Sequence, residues 1–209
     1  MKEKFIDNFI TDNRYKYLTN GLKTTLIITF FALIIGVLLG FIVAVIRVSH
    51  DKTEGENRKM SVGKFFLKIA NYICKLYLTV VRGTPVVVQL MIIYYIIFAS
   101  FSINKVVVAV IAFGLNSGAY VAEIVRSGIN SIDDGQMEAG RSLGFSYVQT
   151  MVHIVLPQAF RNVVPALANE FITLLKETSV SGYIAVADLT KGGDIIRSRT
   201  YEPFFPLIA

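Results

Sequence analysis

The chain has 209 residues, of which 54% are hydrophobic and only 17% charged, whereas about a quarter of the residues in a soluble domain are charged. This composition favours an integral membrane protein. The net charge of +6 does not indicate nucleic-acid binding, because the basic residues flank apolar runs and form no stripe with interleaved aromatic residues. The single cysteine, Cys74, excludes an intrachain disulfide and a cysteine-based metal cluster.

The first apolar run, residues 22–46, is long enough to cross a bilayer, since about 20 helical residues span the hydrocarbon layer. Gly36 and Gly40 lie four residues apart in this run, a spacing that would let a second helix approach closely. Residues 1–16 are mixed and polar and do not resemble a cleavable signal peptide. We therefore predict that the first span stays in the mature protein.

A basic, polar connection is predicted at 47–68, and it includes Arg58 and Lys59. Because Lys/Arg-rich loops stay in the cytoplasm, this connection is predicted to be cytoplasmic and the N-terminus to lie outside. Residues 65–81 mix lysines, tyrosines and aliphatic residues, a composition typical of a helix at the membrane surface.

Two further spans are predicted after this helix. The sequence Arg-Gly-Thr-Pro at 82–85 interrupts the pattern, and its proline is predicted to open the second span at 85–99. A third span at 105–126 contains Asn116 in its middle and Glu123 near its end. Polar groups inside a membrane need a partner or a wet cavity, so this helix is predicted to face protein or a transport pathway.

The polar segment 130–156 is predicted to contain two short capped helices. Asp133 and Ser146 are each followed three residues later by a glutamine, a pattern typical of a capping pair at a helix start. Gly144 lies between them, where a left-handed or tightly turned residue is needed. From these residues alone, the segment is either a lever between two spans or an ordinary capped loop.

The fourth span is predicted at 157–176, with Pro165 favouring a kink. Glu170 lies roughly 20 Å along this span, a depth at which a carboxylate needs a partner or water. Farther on, a turn is predicted at 191–194. A fifth apolar run begins near 202 and stops after seven residues, so we expect it to be the truncated start of a final helix.

The sequence shows no enzyme constellation. His50 and His153 are far apart, and neither accompanies a cysteine or carboxylate at ligand spacing. The phosphate-binding pattern Gly-x4-Gly-Lys-Ser/Thr is absent, so the chain is not expected to hydrolyse ATP. We predict no catalytic residue, metal or bound cofactor in this chain.

The segment from 135 to 157 resembles the signature loop of ABC importer permeases, Glu-Ala-Ala-x3-Gly-x9-Ile-x-Leu-Pro. One position departs from this pattern, because Gly140 replaces the second alanine and lowers helix propensity by about 1 kcal/mol. The positions that match are Glu138, Ala139, Gly144, Ile154, Leu156 and Pro157.

Three other motifs are similar to those of polar amino acid permeases of the histidine, glutamine, arginine and cystine type. They are Arg-Gly-Thr-Pro at 82–85, Ala-Tyr-x-Ala-Glu-Ile-x-Arg-x-Gly-Ile at 119–129, and Leu-Leu-Lys-Glu-Thr-Ser at 174–179. The resemblance runs from about residue 18 to the end. It implies one all-α integral membrane permease domain over 1–209, with five spans.

The resemblance also implies partners. The loop would dock on a separate ATPase subunit, which binds ATP and Mg²⁺, and the chain would pair with a second permease subunit, identical or paralogous. An external solute-binding protein would deliver the cargo to this complex in the bacterial plasma membrane. The coupling-loop residues implied are Gly135, Glu138, Ala139, Gly140, Ser142, Leu143, Gly144, Ile154, Leu156 and Pro157.

Several polar residues keep two possible roles. Glu170 either contacts the amino group of a transported amino acid or ties two spans together, and Asn116, Asn169 and Thr173 share this ambiguity. The residues predicted to be structural or coupling residues are Arg82, Pro85, Glu123, Arg126, Lys176 and Glu177.

Two alternatives stay open at this point. An ion-coupled secondary transporter or a channel is the alternative class of function, in which Glu170 would carry protons or ions. Methionine or a compatible solute is the alternative cargo, because permeases for these solutes share the signature loop.

Overall fold

The computed structural model describes residues 2–54, without the side chains of 52–54, and residues 62–208. Within these ranges the chain is helical and has no β-strand, which confirms the predicted all-α class. The predicted loop residues Arg58 and Lys59 lie outside the described residues. In chain order the α-helices are α1 (Lys2–Phe5), α2 (Tyr15–Glu54), α3 (Val62–Gly83), α4 (Val86–Ile92), α5 (Lys105–Asn130), α6 (Asp134–Ser142), α7 (Tyr147–Thr150), α8 (Leu156–Glu177), α9 (Leu189–Thr200) and α10 (Phe204–Ile208).

Short helical segments of other types accompany these helices. The π-helical segments are Ile6–Ile10, Ile93–Ile97 and Met151–Val155, and the 3₁₀ segments are Thr11–Asn13 and Thr178–Ile184. One of the π-helical segments joins α7 to α8 without a break, so residues 147–177 are continuously helical.

Two of the described helices are long and apolar enough to cross a membrane, namely Tyr15–Asp51 within α2 and Lys105–Asn130. The pair Val62–Gly83 and Val86–Ile97 counts as a third span if its two bent halves form one span. Pro85 directly precedes α4 with an extended backbone, so the predicted helix start at this proline is confirmed.

The polar connection predicted at 47–68 is helical at both ends, because α2 continues to Glu54 and α3 begins at Val62. No glycine or proline interrupts residues 47–54. Val48 and His50 are buried, so packing extends the helix beyond the apolar run.

The chain divides into two compact units. The first combines Met1–Ile34, Thr84–Gly114 and Thr173–Ala209, and the second combines Ile35–Gly83 and Leu115–Ile172. Fully buried members of the first unit's core include Ile28, Ala32, Leu90, Ala109, Phe113, Leu174 and Ile184.

In the first unit, Asp188 is fully buried and caps α9, accepting hydrogen bonds from the Lys191 backbone N–H and the Ser181 hydroxyl, both at 2.7 Å. Burial raises the pKa of the Asp188 carboxyl. The turn predicted at 191–194 is wrong, because these residues lie inside α9. A Cβ atom on Gly192 would lie 2.5 Å from the carbonyl oxygen of Tyr17, so this glycine serves close packing.

In the second unit, α2 and α5 pack closely. A Cβ atom on Gly36 would lie 2.8 Å from the Ser117 hydroxyl oxygen, and one on Gly40 would lie 2.6 Å from the Cβ atom of Val121. The close helix approach predicted at these two glycines is confirmed. The buried cores of this unit include Val43, Ala44, Cys74, Leu78, Ala119, Val121, Ala122, Val125, Val155 and Ala159.

Candidate functional site

The start of α6 is fixed by Asp133, whose carboxylate accepts a hydrogen bond of 2.7 Å from the Gly135 backbone N–H. This confirms the predicted cap. The reciprocal half of the predicted pair is not formed among the described hydrogen bonds. Gln136 instead accepts a 3.3 Å bond from the Gln158 side chain, which ties α6 to the beginning of α8.

The end of α6 is fixed by its backbone. Gly144 has a φ of 84°, the left-handed conformation predicted for it. Its N–H donates to the Arg141 carbonyl at 3.0 Å, and the Phe145 N–H donates to the Gly140 carbonyl at 3.1 Å. These two bonds form a Schellman motif, which satisfies the last carbonyls of the helix.

The start of α7 is a complete capping box, as predicted. The Ser146 N–H donates to the Gln149 side chain at 2.8 Å, and the Gln149 N–H donates to the Ser146 hydroxyl at 3.3 Å. These two reciprocal hydrogen bonds fix the direction in which the chain enters α7.

Gly140 and Thr150 hold α6 against α7. Gly140 is buried and Thr150 is fully buried, and the Thr150 hydroxyl donates to the Ser146 carbonyl at 3.0 Å. A Cβ atom on Gly140 would collide with the Thr150 methyl group and would lie 2.7 Å from its hydroxyl oxygen. Gly140 therefore departs from the family pattern at a position where the Thr150 side chain fills the space that an alanine methyl group would need.

Several apolar side chains between α6 and α7 and in the first turn of α7 are exposed. Leu143 is 76% exposed and Val148 is 66% exposed. Phe145 and Tyr147 are also exposed, and they flank the capping box. Exposed apolar patches on a polar segment mark interaction sites.

The other predicted loop residues take distinct positions. Glu138 and Ala139 are exposed, and the Ser142 hydroxyl donates to the Glu138 carbonyl at 2.9 Å. Ile154 and Leu156 are half-buried. Pro157 is exposed near the start of α8, where it removes one backbone N–H from the continuous helix 147–177.

A polar pair joins α5 to α8. The Ser117 hydroxyl donates to the Glu170 carboxylate at 2.7 Å, and both side chains are buried. The neighbouring Asn116 is also buried, with 2% of its surface exposed. Of the two roles predicted for Glu170, this bond supports the one that ties two helices together.

The remaining α8 candidates are mostly exposed. Asn169, Thr173 and Lys176 are exposed and recur at helical spacing along one side of the helix, whereas Glu177 is half-buried. Asn169, Thr173 and Lys176 are thus accessible to solvent in the single chain.

Three arginines surround Glu123 of α5. Their guanidinium nitrogens lie 3.5 Å (Arg47), 3.7 Å (Arg82) and 4.0 Å (Arg126) from its carboxylate oxygens. Arg126 also pairs with Asp51 at 2.9 Å. Glu123 and Arg126, both predicted to be structural or coupling residues, thus belong to a network that ties α2, α3 and α5 together.

Comparison with known proteins identifies the family to which the chain belongs. The model of a family described as "Binding-protein-dependent transport system inner membrane component" matches residues 60–208, more than half of the chain. The chain belongs to this family. The resemblance to ABC importer permeases is thus confirmed, and the protein is a multi-pass membrane permease.

Individual relatives agree with this family. The arginine transport system permease protein ArtQ of Bacillus subtilis (strain 168) is 38% identical over 205 residues, which cover 97% of this chain and 86% of the relative. The L-cystine transport system permease protein TcyB of the same organism is 34% identical over 197 residues, covering 93% and 77%. A crystal structure of an amino acid ABC transporter with histidines matches with a TM-score of 0.79 and 40% identity, covering 96% of this chain and 87% of that chain.

Sequence reasoning missed several partners in the site. Thr150 was not predicted to face Gly140, although its position one helical turn after Ser146 places it on the inner side of α7. Asp51 was assigned to a loop, so its pairing with Arg126 was not anticipated. The Asp51–Arg126 contact depends on how helices distant in sequence pack, for which the local sequence carries no signal.

Proposed function

We propose that this chain is the transmembrane subunit of an ATP-driven importer of a polar amino acid, and that segment 130–156 receives force from a separate ATPase subunit. The observation that carries this proposal is the α6–α7 element, held by two caps and the Gly140–Thr150 contact while Leu143 and Val148 remain exposed. A rigid element with an exposed apolar face is suited to docking. Its continuous connection to α8 would carry the displacement into the membrane.

The polar amino acid class is supported by the relatives, which are named for arginine and cystine transport. In this proposal the complete permease fold has five spans with the N-terminus outside. ATP and Mg²⁺ are bound by the ATPase subunit. The chain pairs with a second permease subunit and receives its solute from an external binding protein.

Within the second unit, Asn169 is the better candidate for a pathway contact, because it is exposed on α8 whereas Glu170 is buried. Thr173 lies one turn farther along the same side of the helix. In this proposal Glu170 keeps α5 and α8 together.

The docking face can be tested without disturbing the fold, because its apolar side chains are exposed. We expect Leu143→Ser and Val148→Ser each to weaken binding of the ATPase subunit about 30-fold, which corresponds to about 2 kcal/mol for one buried aliphatic side chain. Val62→Ser is the matched control, since Val62 is 74% exposed and lies outside the loop. Equal binding by all three variants, measured on the purified chain in detergent, would contradict the docking face.

A further inference from the structure

An open cavity of about 630 Å³ lies beside α2, α3 and α5 in the second unit. Among the described residues, Arg47, Lys75 and Arg82 line it together with one carboxylate, that of Glu123. The described part of the lining therefore has a surplus of two positive charges. A surplus of this sign in a concave site attracts an anion.

The positive charge of this cavity is only partly compensated. Glu123 is shared among three arginines at 3.5–4.0 Å, separations of ion pairs and not of short hydrogen bonds. The Nε atom of Arg47 is buried without a hydrogen-bond partner among the described residues. Lys75 forms no ion pair within the described part of the chain. The exposed Lys75 ammonium group can therefore meet an additional anion, whereas the Nε atom of Arg47 is shielded from the cavity.

The surroundings of the cavity indicate which anion it meets. Arg47 is the first charged residue after the apolar run 22–46, so we expect it near the end of the membrane-crossing part of α2. The outer side of α3 carries exposed apolar side chains suited to lipid contact, namely Tyr72, Ile73, Leu76 and Val80. Basic pockets beside apolar helices at this depth bind anionic headgroups.

We propose that this cavity binds a phosphate-bearing anion, and that the headgroup of an anionic membrane lipid supplies it. Arg47 and Arg82 present planar guanidinium groups, which match the geometry of phosphate oxygens. The Arg82 guanidinium lies 5.7 Å from the centre of the Tyr120 ring, and both residues line the cavity. Lys75 adds a third positive charge from α3.

The test uses the full chain purified in detergent and measures binding of short-chain phosphatidylglycerol, phosphatidylcholine and inorganic phosphate by native mass spectrometry. We expect phosphatidylglycerol to bind more tightly than phosphatidylcholine. Lys75→Gln should weaken its binding about five-fold, the factor expected for removing one basic residue at a membrane surface. Glu123→Gln should strengthen it, because the competing carboxylate is lost.

The matched control is Lys68→Gln, which removes the same charge from an exposed position of the same helix outside the cavity lining. It should leave phosphatidylglycerol binding unchanged. Inorganic phosphate binding that is weakened by Lys75→Gln would support the anion site and identify a free anion as its ligand. Equal effects of Lys75→Gln and Lys68→Gln, or equal binding of the two lipids, would overturn the proposal.

Discussion

Replacing Gly140 with alanine tests whether α6 and α7 form one rigid element. The new Cβ atom would meet the Thr150 methyl group and lie 2.7 Å from the hydroxyl oxygen and 3.1 Å from the Cβ atom of a fully buried residue. Such overpacking costs about 1–3 kcal/mol. The gain in helix propensity returns about 1 kcal/mol. We expect a net destabilisation of about 1 kcal/mol, which would lower the Tm by about 2–4 °C in a chain of this size.

A double-mutant cycle separates the cost of overpacking against Thr150 from the gain in helix propensity at position 140. Thr150→Ala removes both the methyl group and the hydroxyl, so Gly140→Ala should cost less in that background, with a coupling energy of about 1–2 kcal/mol. Gly63→Ala is the matched control, because a Cβ atom there meets nothing within 4 Å. Thermal unfolding of the purified chain in detergent measures all four variants. A Gly140→Ala variant as stable as Gly63→Ala, with no coupling to position 150, would refute the reasoning.

Three further outcomes are expected, each measured as a change in Tm in detergent. Gly144→Ala should destabilise the protein by about 1–2 kcal/mol, because an L residue is strained at a φ of 84°. Gly144→Asn should destabilise it less, and equal Tm values for the two variants would contradict this expectation. Ser117→Ala should lower the stability by about 1–3 kcal/mol, since it leaves the buried Glu170 carboxylate without its hydrogen-bond donor. A smaller loss of stability in a Glu170→Gln background would confirm the pairing, and an additive loss would contradict it. Because burial raises the pKa of Asp188, its folded form binds a proton more tightly than the unfolded form. The stability that this group contributes is fully present below its unfolded pKa of about 3.9 and is lost as the pH rises through the folded value. Asp188→Asn should remove this pH dependence while keeping the α9 cap, and an unchanged pH profile would contradict it.

Local features of the fold could be predicted because their causes are local. Asp133 and Ser146 bond to backbone groups two or three residues away, so their patterns were sufficient to predict two helix starts. The backbone of Gly144 follows from the same local geometry. The family resemblance then assigned this segment a role that capping alone left open.

Other features depend on packing between distant segments. The end of α2 was placed too early, because burial of Val48 and His50 extends it past the apolar run. Gly192 was assigned to a turn, although it lies in a helix against the Tyr17 backbone. The partner of Glu170 could not be identified either, since Ser117 is 53 residues away in sequence.

Solute uptake into proteoliposomes tests the central claim most directly. The chain would be reconstituted with or without its ATPase subunit and the external binding protein, and uptake of arginine, glutamine, histidine and cystine measured. ATP-driven importer function predicts uptake of one of these solutes only with the ATPase subunit and ATP, and its loss in Leu143→Ser while the chain remains folded. Uptake by the chain alone down a proton or sodium gradient would contradict the account and support an ion-coupled transporter.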